Sequence, residues 1–198
     1  MNHSLRIVVA DDEADMRDYF RKMLPVLGHR LVAVADNGRE LVQLCQEQRP
    51  DLVITDIKMP DMDGIEAAME IYRKMTVPVI LVSAYHDREL IQRAEADHIM
   101  GYLVKPIKQA DLEPVIALAM RRFEQFQELR KEAADLRQAL EDRKTIERAK
   151  GILMKKVQLD EHDAFRRLQK LASEKNLKLV EIARIILTAE EAFESPTG

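Results

Sequence analysis

Tryptophan is absent from this 198-residue chain, aromatic residues make up only 5% of it, and Cys45 is its single cysteine. One thiol permits no disulfide within the chain, and its place inside a helical pattern reads as a buried structural position. The five histidines, at positions 3, 29, 86, 98 and 162, lack metal-ligand spacing and receive no role. No apolar run reaches the ~18–20 residues of a membrane-spanning helix, so no membrane partner is expected. The N-terminus is polar where a signal peptide would carry an apolar core, and the expected location is the cytoplasm. Glycine and proline number six and seven, and no cluster of them breaks the second half. What is present is 46% hydrophobic residues, enough for one good core and a small second one.

Charge is unevenly placed. Residues 1–120 carry 14 basic against 20 acidic side chains, residues 121–142 carry 5 against 6, and residues 143–198 carry 12 against 9. Without the acids after Leu187, the last segment is 12 against 6. An acidic front half therefore precedes a basic, helical back half, which points to an anionic partner for the back.

Short β-branched runs at 5–10, 52–55 and 79–82, with two more at 31–35 and 101–104, read as strands buried on both faces. Helical stretches at about 13–27, 38–49, 64–75, 87–97 and from 109 onward alternate with them. Strand then helix, five times over, predicts an α/β fold with a doubly wound, five-stranded parallel sheet. In such a sheet the carboxyl ends of the strands share one edge, where ligands bind. Asp11 and Asp12 follow the first run, Asp56 the third, Ser83 the fourth and Lys105 the fifth. Taken singly, each has a structural use as a helix cap, turn former or loop end. Together, three carboxylates, a hydroxyl and an ammonium at one edge suit a divalent metal and a phosphoryl group. Gly64 reads as relief of backbone strain after Pro60-Asp61.

Asp11-Asp12, Asp56, the run Lys58-Met59-Pro60-Asp61-Met62-Asp63-Gly64, Ser83-Ala84 and Lys105-Pro106 resemble the signature of two-component receiver domains, which have a flavodoxin-like fold. The resemblance implies Mg²⁺ and phosphoryl transfer from a sensor histidine kinase. It makes Asp56 the phosphoacceptor and a metal ligand, Asp12 a direct ligand, Asp11 a ligand through water, and the Lys58 carbonyl a further ligand. Ser83 and Lys105 would contact the phosphoryl group, and Tyr102 matches the family's aromatic switch position. For Tyr102, partly buried packing is the alternative.

From Ala119 an apolar seam runs through Phe126, Leu129, Ala133, Leu136 and Leu140 at heptad-like spacing. Residues 121–142 thus read as a helical coiled-coil linker after a receiver domain at 1–120. Two uses stay open, a homodimer conditional on phosphorylation or packing of the helix on its own domains. Residues 143–198 show three helical segments, 144–156, 161–174 and 178–192, with Asp160 as the cap of the second and Asn176 in the turn before the third. Ala149, Phe165, Leu168, Leu171, Ile182 and Ala183 are among the residues expected to form a small all-α core. Gly151 inside the first segment points to close approach of another helix or of a ligand.

Ile146-Glu147-Arg148-Ala149-Lys150-Gly151-Ile152-Leu153-Met154 and Ala164-Phe165-Arg166-Arg167-Leu168 resemble the ANTAR output domain, a family of RNA-binding transcription antiterminators. That resemblance implies structured hairpins in leader transcripts as partners. Arg148, Lys150, Lys155, Lys156, Arg166, Arg167 and Lys170 are the basic residues able to meet phosphates. Lys150, Arg166 and Arg167 are expected to be exposed. The back half holds only Phe165 and Phe193 as aromatics, which limits recognition by stacking. With one histidine, no cysteine and no glycine-rich phosphate loop there, no enzymatic output is expected. The alternatives are a DNA-binding regulator, opposed by the strongly apolar third segment Val180–Leu187, and a protein-binding phospho-adaptor.

Overall fold

The structure, a computed structural model, describes residues 4–84 and 99–194, with side chains through Ala192. The helix expected over 87–97 lies outside the described residues. Residues 1–127 and 128–198 form two compact units.

In the first unit β1 (Arg6–Ala10), α1 (Ala14–Val26), β2 (Arg30–Ala35), α2 (Gly38–Gln48), β3 (Leu52–Asp56), α3 (Gly64–Lys74), β4 (Val79–Ser83) and β5 (Ile99–Val104) are followed by α4 (Gln109–Val157). The five strands are all parallel, in the order β2-β1-β3-β4-β5, which is the doubly wound sheet expected. Alternation along each strand explains why both faces are covered. Ile7, Val9, Leu52, Ile54, Ile80 and Val82 lie on one face with Phe20 and Leu24 of α1 and Leu112 and Ile116 of α4. Val8, Val53, Val79 and Leu81 lie on the other with Leu41 and Cys45 of α2 and Ile65 and Ile71 of α3. Each aliphatic side chain buried this way contributes roughly 1.5–3 kcal/mol relative to exposure. Cys45 is wholly buried, and that burial pushes its thiol up to about 12.

Polar side chains set where the helices start. Asn37 accepts a hydrogen bond from the Glu40 N–H to cap α2, and Asp63 accepts one from the Glu66 N–H to cap α3. The chain leaves β1 for β2 on one side and finds β3 on the other, so the crevice opens at the carboxyl ends of β1 and β3.

The second unit holds the rest of α4, then α5 (Glu161–Lys175) and α6 (Leu179–Glu194). Asp160 caps α5 by accepting from the Asp163 N–H, and Asn176 ends it in the left-handed region at φ 52°. Ala149, Leu168, Ile182 and Ala183 are its buried centre, flanked by Ile146, Leu153, Leu171, Ala172, Leu179 and Ile186. Two expectations are corrected. Phe165, expected in the core, is 36% exposed at the edge of the α5 stripe that Ala164 and Leu168 bury. Gly151 has nothing within 4 Å of where a Cβ would stand, so close helix packing does not explain it.

No helix among the described residues is long and apolar enough to cross a membrane. The apolar seam on α4 divides in two. Ala119 and Phe126 pack into the sheet's own core, whereas Leu129, Leu136 and Leu140 are 65%, 65% and 54% exposed. Packing on its own domain therefore accounts for the start of the seam and fails from Leu129 onward.

Candidate functional site

The crevice gathers the residues read from the strand ends. Asp11, immediately after β1, is fully buried, and Asp56, the last residue of β3, is 6% exposed. Ser83 ends β4 at 1% exposure, and its carbonyl accepts the Lys105 N–H at 2.9 Å, tying the ends of β4 and β5 together. Tyr102 is half-buried and packs against the α2/α3 side of the sheet.

Lys105 is the centre of charge. Its Nζ lies 2.8 Å from Asp56 Oδ2, 2.8 Å from Glu13 Oε1 and 3.1 Å from Asp11 Oδ2. Burial works against the ammonium, yet its hydrogen bonds to Asp56 and Glu13 and its ion pair with Asp11 outweigh burial and hold its pKa above the ordinary lysine value. For Asp56 the balance goes the other way. Burial raises its pKa, opposed by Lys105 and by the N–H groups of Ile57 and Lys58. Asp11 is likewise raised, chiefly by burial.

The carboxylate oxygens of Asp11, Asp12, Glu13 and Asp56 lie within 4.8 Å of one another. Asp11 Oδ2 is buried and, despite the nearby ammonium, lacks an aligned hydrogen-bond donor. Hard oxygen donors at this spacing, one of them unsatisfied, fit a small divalent cation. Such a cation would relieve the repulsion among the carboxylates that one lysine offsets only in part.

Two contributors go unmarked in the sequence, and a third has a role other than the one expected. Glu13 is legible only as a third acid after the Asp pair, and as an exposed residue it reads as solvated surface. Arg17, one turn into α1, donates from one guanidinium nitrogen to the carbonyls of Asp11 and Asp12 at 2.7 and 2.8 Å, holding the backbone of the acidic pair. Nothing in the sequence singles it out. Gly64 reads as relief of strain, but the positive φ in this loop belongs to Asp61, at 65°. Glycine is needed at 64 because a Cβ there would collide with the Asp56 carbonyl oxygen and stand 3.0 Å from Thr55 Oγ1. The loop after β3 is thus pressed against the strand end that presents Asp56.

In the second unit Arg148, Lys155, Lys156, Arg166, Arg167 and Lys170 are exposed, and Lys150 is not. Contrary to expectation, Lys150 is 8% exposed, with Nζ 2.6 Å from Glu147 Oε2 and 2.8 Å from Glu161 Oε1. The hydrogen bonds it donates to Glu147 and Glu161 raise its pKa. Its neighbour Ala149 faces the core, and the same face turns Lys150 toward the first turn of α5, where it ties two helices together.

Comparison with known proteins agrees with both halves. The response regulator receiver domain matches residues 7–117, and the ANTAR domain matches residues 134–187. The transcriptional regulatory protein PdtaR of Mycobacterium tuberculosis is 41% identical over 182 residues, covering 92% of this chain and 89% of PdtaR. Among solved structures, the signal receiver domain of a modulated diguanylate cyclase from Desulfovibrio desulfuricans superposes with a TM-score of 0.58 at 28% identity, over 62% of this chain and 98% of that one. The response regulator domain of Thermotoga maritima CheB gives 0.56 at 28% identity, over 60% and 98%. The strand-end carboxylates and the lysine paired with Asp56 thus fall inside one matched domain and most of the helical second unit inside the other, and the chain belongs to the response regulators, in the non-enzymatic regulatory architecture of a receiver domain followed by an ANTAR domain.

Proposed function

We propose that this protein is a cytoplasmic regulator switched by phosphorylation of Asp56, whose ANTAR domain binds structured RNA hairpins in leader transcripts and acts as a transcription antiterminator. The observation that carries the first half is the Lys105 ammonium 2.8 Å from an Asp56 oxygen at the carboxyl edge of the sheet. A cognate sensor histidine kinase supplies the phosphoryl group. An Asp56 oxygen forms a bond to phosphorus as the phosphorus–nitrogen bond of phosphohistidine breaks and the imidazole departs with that electron pair.

Such a reaction asks the protein mainly to position and to neutralise charge. Lys105 meets the charge spreading over the phosphoryl oxygens, and the Ser83 hydroxyl donates to one of them. Asp11, Asp12, Asp56 and the Lys58 carbonyl would hold Mg²⁺, which supplies a second positive charge to the same oxygens. Tyr102, on the strand beside Ser83, follows the hydroxyl's movement and carries the signal outward.

In this reading residues 1–120 receive the signal, 121–142 transmit it and 143–198 bind RNA. The exposed leucines of α4 support self-association of two copies along that helix. Arg148, Lys155, Lys156, Arg166, Arg167 and Lys170 meet phosphates, and Lys150 is withdrawn from that set. The test is binding of labelled hairpin RNA and of matched duplex DNA, with and without an acyl-phosphate donor and Mg²⁺. Preferential hairpin binding that rises with the donor is expected, with log affinity falling by about 0.7–0.9 per tenfold salt for each phosphate neutralised. Equal affinity for random duplex DNA would overturn the RNA half and promote a DNA-binding output.

A further inference from the structure

At the junction of α4 and α5 a pocket of about 350 Å³ is lined by Val157, Leu159, Asp163, Arg166, Arg167 and Lys170. Its volume falls near the low end of the ~300–1,000 Å³ typical of small-ligand sites, the scale of one nucleotide and not of a helix or a duplex groove. Three features limit what it accepts. Val157, 55% exposed, and the half-buried Leu159 give it an apolar wall that a phosphate alone would not use. Among the described residues the guanidiniums of Arg166 and Arg167 make no ion pair, and Lys170 has only Glu174 at 3.8 Å. The Asp163 carboxylate also makes no hydrogen bond or ion pair among them, its backbone N–H being the group that serves the cap at Asp160.

We infer that this pocket takes one unpaired guanine from the loop of an RNA hairpin. The inference rests on the RNA reading above and names the site within it. Three cations against one carboxylate leave the rim positive, which suits the phosphates on either side of an extruded nucleotide. The apolar wall takes the flat face of the base, and the Arg166 or Arg167 plane stacks on the other. A carboxylate only accepts hydrogen bonds. Of the four RNA bases, guanine alone offers two adjacent N–H donors, N1–H and N2–H, on its Watson–Crick edge, and these match the two oxygens of Asp163. A paired base hides that edge, so the ligand is a loop and not a duplex. An acidic protein segment would satisfy the guanidiniums but would set its own carboxylates against Asp163.

The experiment uses the full chain with hairpins of one constant stem and loops in which each guanine is replaced in turn by inosine, which lacks the N2 amino group. One inosine position is expected to weaken binding roughly tenfold or more, within the range set by a bidentate hydrogen-bonded base. Asp163→Ala should cost a similar factor and abolish the inosine penalty at that position, with the salt dependence unchanged. Asp163→Ala leaves the Asp160 cap intact, because the cap uses the backbone N–H of residue 163. Replacing Arg166 and Arg167 with Glu should instead reduce the salt slope, by about 0.7–0.9 for each phosphate no longer neutralised. An inosine penalty that persists in Asp163→Ala, or no sensitivity to any loop guanine, overturns the pocket while leaving RNA binding standing. Failure of the wild-type chain to prefer any hairpin over duplex DNA or over an acidic peptide overturns both.

Discussion

Lys105 Nζ stands as close to Glu13 Oε1 as to Asp56 Oδ2, 2.8 Å in each case, although the Glu13 side chain is 61% exposed and that of Asp56 only 8%. The lysine that should meet an incoming phosphoryl group is therefore shared with an acid that takes no part in accepting it. An exposed carboxylate there both competes for the ammonium and repels the incoming anion.

Glu13→Gln is accordingly expected to speed phosphorylation of Asp56 by a small acyl-phosphate donor by about 1.5- to 5-fold, the range of an exposed charge pair. Folding stability should hardly change. Rates from a time course of radiolabel incorporation check this, and a slower variant would place Glu13 among the groups the reaction needs.

Asp56→Asn should abolish labelling, whereas Asp61→Asn and Asp63→Asn should retain it. Asp61 is exposed in the loop, and Asp63 serves as the cap of α3, a role asparagine fills equally well. Stable phosphate on the Asp56→Asn protein would refute the assignment.

The two glycines beside functional segments should respond oppositely to alanine. Gly64→Ala forces a methyl group onto the Asp56 carbonyl and should destabilise the receiver unit and reduce labelling together. Gly151→Ala adds its methyl to open space inside α4 and should stabilise by about 1 kcal/mol. Urea unfolding monitored by circular dichroism reads both. Destabilisation by Gly151→Ala would show that something does approach that backbone.

Replacing Leu129 and Leu136 together with Lys should remove any phosphorylation-induced dimer detected by light scattering, with labelling of Asp56 intact. The two side chains are exposed, so no core is disturbed. Dimers that persist would move the interface off α4.

His29 is 9% exposed, and its Nδ1 accepts the Leu5 N–H at 3.4 Å, which requires the neutral ring. Burial holds its pKa below the ordinary 6.5, opposed in part by Glu113. The unfolded chain therefore takes up the proton first. The stabilising contribution is fully present above pH 6.5 and declines as pH falls from there toward the folded value. Melting temperatures across that interval should drop for the native chain and drop less for His29→Gln. Equal slopes would assign the acid sensitivity to other groups.

Much of this protein was written locally. Alternating runs such as Ile7-Val8-Val9 and Leu52-Val53-Ile54 announce strands covered on both faces, because a side-chain period of two needs no tertiary information. Asp160 and Asn176 mark helix ends through bonds that close within a few residues. The convergence of Asp11, Asp56, Ser83 and Lys105 was legible too, since parallel strands must share one edge. Long-range approach decided the rest. Lys150 and Arg166 look alike in sequence, yet one is enclosed by Glu147 and Glu161 while the other meets no carboxylate among the described residues, because the crossing of α4 and α5 determines which cation meets one. The same holds for Arg17 beneath the acidic pair, for Glu13 on Lys105 and for Gly64 against Asp56. Hydrophobic period and capping are properties of a short segment, whereas the partner of a long charged side chain, or the room for a single methyl group, exists only once distant segments have packed.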